Sequence, residues 1–201
     1  MSEIIKSHSF DLVFHYAAVV GVERTLKNPI EVLKDIDGIK NILDLSLDAD
    51  VQRVFFSSSS EVYGEPVEIP LNEQTTPLNS RLPYAIVKNV GEAYFRSYKK
   101  IHTLDYTIMR FFNTYGPLQS EDFVIPKFVK CALNNDVISI NGDGSQTRTF
   151  LYIDDNLNFI TSMINNNQCI NSTVNVGSDE EITVLDLAKL IIKITGSTSR
   201  I

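Results

Sequence analysis

A chain of 201 residues with 18 Lys and Arg against 25 Asp and Glu, a formal charge of −7, is poorly suited to non-specific nucleic-acid binding, which needs clustered cations to displace counterions. Its 43% hydrophobic content can fill a sizeable core, yet no apolar run is long enough to span a membrane and no signal-peptide core precedes the first elements. Cys131 and Cys169 lack CxxC spacing and His8, His15 and His102 lack metal-ligand spacing, so a reduced, metal-free cytoplasmic protein is expected.

Residues 1–10 read as a polar lead-in. Asp11 to His15 forms a short apolar strand ended by Ala17-Ala18, small residues that either let a ligand approach the backbone or allow tight helix packing. From Pro29 to Leu47 the apolar residues Ile30, Leu33, Ile36, Ile39, Ile42, Leu43 and Leu47 recur at helical spacing. That stripe serves a core or a dimer interface. Val51 to Phe56 is a nearly continuous apolar run, as in a parallel strand covered on both faces, and it empties into Ser57-Ser58-Ser59-Ser60.

A loop rich in Pro and Asn leads to a second helix over 84–101 and a strand over 106–112, which Asn113 to Pro117 terminates. Strands and helices alternating with crossovers this long predict right-handed βαβ units in a parallel sheet. Beyond Gly116 the predicted elements are a helix at 123–133, a short strand at 137–140, a turn at 141–144 and a strand at 148–152. A helix capped by Asp154-Asp155, a strand at 173–177 and a last helix from Val184, capped by Thr183 and stopped by Gly196, complete the chain. The fold expected is α/β: a Rossmann-like, doubly wound parallel sheet with a small mixed α/β lobe. The boundary is placed between 1–116 and 117–201, with the two parts interleaved.

Tyr84 and Lys88 stand at i and i+4 and share a helix face. An ammonium beside a phenol would stabilise the phenolate and make proton transfer at neutral pH feasible. The spacing alone also describes a solvated helix face, and it gains meaning from its place after a strand that ends in hydroxyls.

Taken together, His15-x-Ala17-Ala18, Ser57 to Gly64, Tyr84 to Lys88, Arg110 to Pro117 and Gly142 to Asp155 resemble, in order, the extended short-chain dehydrogenases/reductases. These are NAD-dependent enzymes acting on nucleotide sugars. Ser59-Ser60-Glu61-Val62-Tyr63-Gly64, Arg81 three residues before the tyrosine, Phe112 to Pro117 and Gly144 to Arg148 are most similar to UDP-glucuronate decarboxylases (UDP-xylose synthases). The resemblance implies NAD as cofactor and a nucleotide-diphosphate sugar as substrate. It implies Ser59, Ser60, Glu61, Tyr84 and Lys88 as catalytic residues. Ala17, Ala18, Ser57, Tyr84, Lys88 and Phe111 would hold the cofactor, and Arg81, Asn113 and Arg148 the substrate. By themselves Asn113 also reads as a turn former, Glu61 as a loop carboxylate and Arg148 as a surface cation. The resemblance further implies a homodimer through the helices at 29–47 and 84–101.

In such enzymes the sugar becomes a 4-ketone, which then loses carbon dioxide, eliminates water or takes the hydride back on its other face. Ser60-Glu61 is similar to the decarboxylases, whereas the dehydratases use Asp-Glu there and the 4-epimerases usually have no carboxylate. Two departures stand out. The family's GxxGxxG turn is not found within these residues, and the chain opens about where the family's fourth strand would lie, so it is expected to bind NAD weakly and turn over slowly by itself. It reads as a piece of a longer enzyme or as an inert remnant that binds a sugar nucleotide or a partner subunit. Asp35, three residues before Gly38, replaces the Asn usual there and would alter hydrogen bonding near the serines.

Overall fold

The computed structural model describes residues 2–201, except for the side chains of Ser2, Lys6, Val22, Glu23 and Arg24. In chain order the elements are α1 (Ser2–Ser7), β1 (Leu12–His15), α2 (Val22–Lys27), α3 (Pro29–Leu33), α4 (Asp35–Asp48), β2 (Arg53–Ser59), α5 (Pro83–His102) and β3 (Asp105–Phe111). There follow β4 (Asn113–Tyr115), α6 (Val124–Leu133), β5 (Thr147–Tyr152), α7 (Ile153–Ile164), β6 (Ser172–Val176), β7 (Glu181–Thr183) and α8 (Val184–Thr195). Short 3₁₀ turns lie at Ser60–Tyr63 and Asn167–Cys169.

The chain divides into two compact units. One holds residues up to Val20, Arg24–Phe111 and Phe159–Val176, and the other holds Gly21–Glu23, Phe112–Asn158 and Gly177–Ile201. The boundary expected after Gly116 thus falls at Phe111, and the second half returns Phe159–Val176 to the first unit.

In the first unit four strands lie in the order β1-β2-β3-β6, every neighbouring pair parallel. One face of β2 gives Val54 and Phe56 to a core with Ile39 and Leu43 of α4 and Val87 and Phe95 of α5. Gly91 permits the close approach of α5: a Cβ there would stand 2.5 Å from Cζ of Phe56 and 3.0 Å from Cδ1 of Ile39. Register sets Ser57, Ser58 and Ser59 opposite Met109, Arg110 and Phe111, so all three hydroxyls arrive at the C-terminal end of the sheet.

Several expectations are corrected. The polar lead-in contains α1, because Ile5 buries itself against the core that holds Ile39. The single helix over 29–47 is two, divided at Lys34, and the Asp35 carboxylate at the start of α4 accepts a bond from the Val19 N–H at 2.7 Å. β2 continues through Ser59 instead of ending at Phe56, since pairing with β3 extends that far and the buried hydroxyls find polar partners.

In the second unit, β4 pairs parallel with β5, and β5 pairs antiparallel with β7. Asn113 to Tyr115 therefore forms a strand as well as ending β3. Residues 137–140 form no strand; the Ile138 N–H donates to the Arg200 carbonyl at 2.8 Å while its side chain is buried with Phe128 of α6 and Leu187 of α8. Helix α8 begins and ends as its sequence signals, with Thr183 Oγ1 accepting from the Asp186 N–H at 3.0 Å and Gly196 in the left-handed region at φ 64°.

Candidate active site

Three segments meet at the C-terminal end of the first unit's sheet. β2 delivers the serines, a 3₁₀ turn follows at once, and α5 lays its first turns across them. Pro83 opens α5 where a missing N–H costs least, and Tyr84, Lys88 and Glu92 then recur on one face.

Lys88 is 4% exposed and donates from Nζ to Ser57 Oγ at 3.4 Å, with its ammonium 5.2 Å from the centre of the Phe56 ring. Desolvation brings its pKa down to about 8, and the nearby Asp35 carboxylate opposes that shift. The same ammonium lies 5.6 Å from the centre of the Tyr84 ring. The sequence led us to expect a phenol with a lowered pKa. Burial instead raises the Tyr84 pKa, the Ser59 hydroxyl pulls it down, and the carboxylates of Glu61 and Asp35 push it up. At neutral pH the phenol is protonated. The spacing rule omitted both desolvation and the two carboxylates.

Ser59 Oγ accepts from the Glu61 N–H at 3.2 Å and so caps the turn Ser60–Tyr63. Gly64 ends it at φ 65°, where a Cβ would come within 2.8 Å of the Ser80 nitrogen. Ser60 is partly buried and Glu61 exposed, yet the latter's carboxylate acts on Tyr84. Arg81 is exposed in the loop before α5.

A cavity of about 630 Å³ is lined by His15 at the end of β1, Ala17 and Ala18 after it, and Asp35, Gly38 and Asn41 of α4. His15 is buried with its ring stacked 6.0 Å from that of Phe56. Burial and the Lys88 charge lower its pKa to about 4, against an opposing pull from Asp35. Phe111, opposite Ser59 in register, is partly buried and meets Tyr16 edge-on at 5.8 Å.

The family model described as "NAD dependent epimerase/dehydratase family" matches residues 1–177. The chain belongs to this epimerase/dehydratase family. It is 35% identical over its whole length to a UDP-N-acetyl-alpha-D-glucosaminuronate decarboxylase of Bacillus cytotoxicus, of which it covers 64%. Among solved structures it resembles the UDP-glucose 4-epimerase of Thermotoga maritima with UDP-glucose, at 30% identity and a TM-score of 0.92, covering 98% of this chain and 65% of that one. It also resembles the UDP-glucuronic acid 4-epimerase of Bacillus cereus in complex with UDP-glucuronic acid and NAD, at 27% identity and a TM-score of 0.90, covering 99% and 63%. The chain thus spans less than two thirds of each of these relatives.

The epimerase/dehydratase family is NAD dependent by name, and the first unit offers groups that fit part of that cofactor. Ala17 and Ala18 present only methyl side chains to the cavity wall, and Lys88 with Ser57 forms a buried polar pair.

Two of the substrate residues expected by resemblance to the family lie in the second unit. Asn113, in β4, donates from Nδ2 to the Thr149 carbonyl at 3.0 Å, and its side chain is exposed. Arg148, in β5, is also exposed and folds back to donate to the Thr147 carbonyl at 2.7 Å.

Sequence reasoning gave no role to His15, Glu92 or Arg110. His15 carried a signal of position, as the last residue of the first strand. Glu92 continues the four-residue spacing of Tyr84 and Lys88, and Arg110 is a cation inside an otherwise apolar strand.

Proposed function

We propose that this chain carries the proton-transfer centre of an NAD-dependent, cytoplasmic nucleotide-sugar enzyme that acts through a 4-keto sugar, with UDP-glucuronate decarboxylation as its chemistry. The observation that carries this reading is the grouping of Ser59, Glu61, Tyr84 and Lys88 at one end of the parallel sheet, with Ser59 and Glu61 both acting on the Tyr84 phenol.

Bound NAD would supply the hydride acceptor and a positive ring. In this reading Tyr84 acts as its phenolate: it takes the proton of the sugar C4 hydroxyl and becomes the phenol, Ser59 holds that hydroxyl through its own, and the Lys88 ammonium with the bound cofactor's positive ring would offset the burial that raises the phenol's pKa. Ala17, Ala18, Ser57 and Phe111 bound the cofactor side of the site, while Arg81, Asn113 and Arg148 bind the substrate, Arg being suited to diphosphate and carboxylate oxygens. A sugar oxidised at C4 with a carboxyl on C5 is a β-keto acid, which releases carbon dioxide. Ser60 and Glu61 flank that step. A second reading, 4-epimerisation, draws support from the 4-epimerases among the structural relatives.

Incubating the purified 201-residue chain with NAD and UDP-glucuronate, and separately with UDP-glucose, distinguishes the readings by product mass and sugar configuration. Slow loss of carbon dioxide from UDP-glucuronate, at an NAD concentration high enough to offset weak binding, is the expected result. Unchanged mass with inverted C4 replaces it with epimerisation, loss of water from UDP-glucose with dehydration. No conversion of either substrate overturns the catalytic reading for this polypeptide.

The chain also forms a homodimer in this reading, through α3, α4 and α5, where Ile30, Leu33, Ile86 and Ile101 are exposed apolar residues. Sedimentation equilibrium at a monomer mass would refute it.

A further inference from the structure

Each segment that carries a group of the proposed centre also sends one residue into a buried polar network that the proposed chemistry does not use. Glu92 and Arg110 stand at its middle, 0% and 1% exposed. Arg110 donates from Nε to Glu92 Oε1 at 2.9 Å and from Nη2 to Glu92 Oε2 at 2.8 Å. Ser58, between Ser57 and Ser59, donates to Glu92 Oε1 at 2.6 Å. Arg96 adds a bond to Oε2 at 2.8 Å from the helix surface.

The remaining edge of the guanidinium faces the turn. Arg110 Nη1 donates to Tyr63 Oη at 2.8 Å, and Tyr63 is the last residue of the turn that carries Glu61. Tyr63 in turn donates to Asn175 Oδ1 at 2.7 Å, and the Asn175 N–H donates to Glu73 Oε1 at 2.7 Å. Ser58, Arg110 and Asn175 are direct register neighbours across β2, β3 and β6.

A buried ion pair is a poor source of stability, since apolar residues of similar volume commonly serve the fold as well or better. What it supplies is direction: bidentate guanidinium–carboxylate geometry admits little play. Burial opposes the Glu92 charge, and the bonds from Arg110 and Ser58 outweigh it and keep the carboxylate ionised.

We propose that the Glu92–Arg110 ion pair is the positioning centre of the site, fixing the serine end of β2, the Glu61 turn and the Tyr84–Lys88 helix face relative to one another. This rests on the functional reading above for its significance, but its geometry is testable without turnover.

The test replaces the pair by apolar residues, Glu92→Leu with Arg110→Met, in the 201-residue chain. Folding is read by the denaturant midpoint. Positioning is read from the ionisation of Tyr84, by ultraviolet difference titration against the matching Tyr84→Phe protein, with and without Glu61→Gln. In the native background, Glu61→Gln is expected to lower the Tyr84 titration midpoint. In the apolar-pair background that shift should fall by at least half while the fold persists. An equal shift in both backgrounds makes the pair merely structural and overturns the proposal, as does the absence of any shift in the native background. If the double variant does not fold, Tyr63→Phe decides, because it cuts the turn from the network and leaves the ion pair in place. A native chain that shows the coupling but no turnover refutes the proposed reaction and leaves the positioning role standing.

Discussion

The Lys88 ammonium meets Ser57, not Ser59, donating at 3.4 Å from a site with 4% exposure. The same ammonium acts on His15 at the end of β1, while Ser59 attends to Tyr84 and the turn. Two serines two residues apart on one strand have different partners.

A buried ammonium costs stability, so Lys88→Met should stabilise the fold by on the order of 1–3 kcal/mol at neutral pH while abolishing activity. The sign follows from its pKa, lowered from 10.5 to about 8. Below about pH 8 the native state carries the desolvated charge throughout; between about 8 and 10.5 it sheds the proton before the unfolded chain does, and stability rises. Denaturant titrations at pH 7 and pH 10 check both points: the wild type should gain stability across that interval, and Lys88→Met should gain less.

His15 predicts a loss on acidification, the same sense of pH dependence in a lower window. Its pKa falls from 6.5 unfolded to about 4 folded, so the native state resists a proton that the unfolded chain accepts. Stability should decline as pH falls from about 6.5 to about 4, and His15→Gln should remove about 2–3 kcal/mol of that decline. Comparing the two proteins by thermal melts at pH 7 and pH 4 isolates this residue from the carboxylates, which titrate in both.

Asp35→Asn keeps an acceptor for the Val19 N–H and removes a charge. The amide bond at 2.7 Å should persist, so stability should change by less than about 1 kcal/mol. The Tyr84 and Lys88 pKa values should both fall, because Asp35 pushes up on each. An unchanged Tyr84 titration in the Asp35→Asn protein would show that the carboxylate does not reach the site.

Gly91→Ala sets helix propensity against packing. Alanine gains about 1 kcal/mol in a helix, but its Cβ would sit 2.5 Å from Cζ of Phe56, a ring with no exposed surface. The net expectation is destabilisation of about 1–2 kcal/mol, measured by urea unfolding. A more stable variant would mean that Phe56 and Ile39 can move aside.

Hydrophobic period and local punctuation determined the main elements. The continuous apolar run before the serines announced a covered parallel strand, the four-residue spacing from Tyr84 announced a helix face, and Thr183 and Gly196 marked both ends of α8, because these signals act within a few residues of chain. The same locality limited the sequence. It did not show α1, whose Ile5 is buried only through a neighbour distant in sequence, nor that Ser57 to Ser59 remain in a ladder with β3. It misjudged the phenol, since the ionisation of Tyr84 is set by burial and by Ser59, Glu61 and Asp35, drawn from three other segments. Glu92 and Arg110 were legible as charges at odd places, an acid on the inner face of a helix and a cation inside a strand. Only the packing of α5 on β2 and β3 brought them together, because a desolvated charge must find its partner wherever the fold places one.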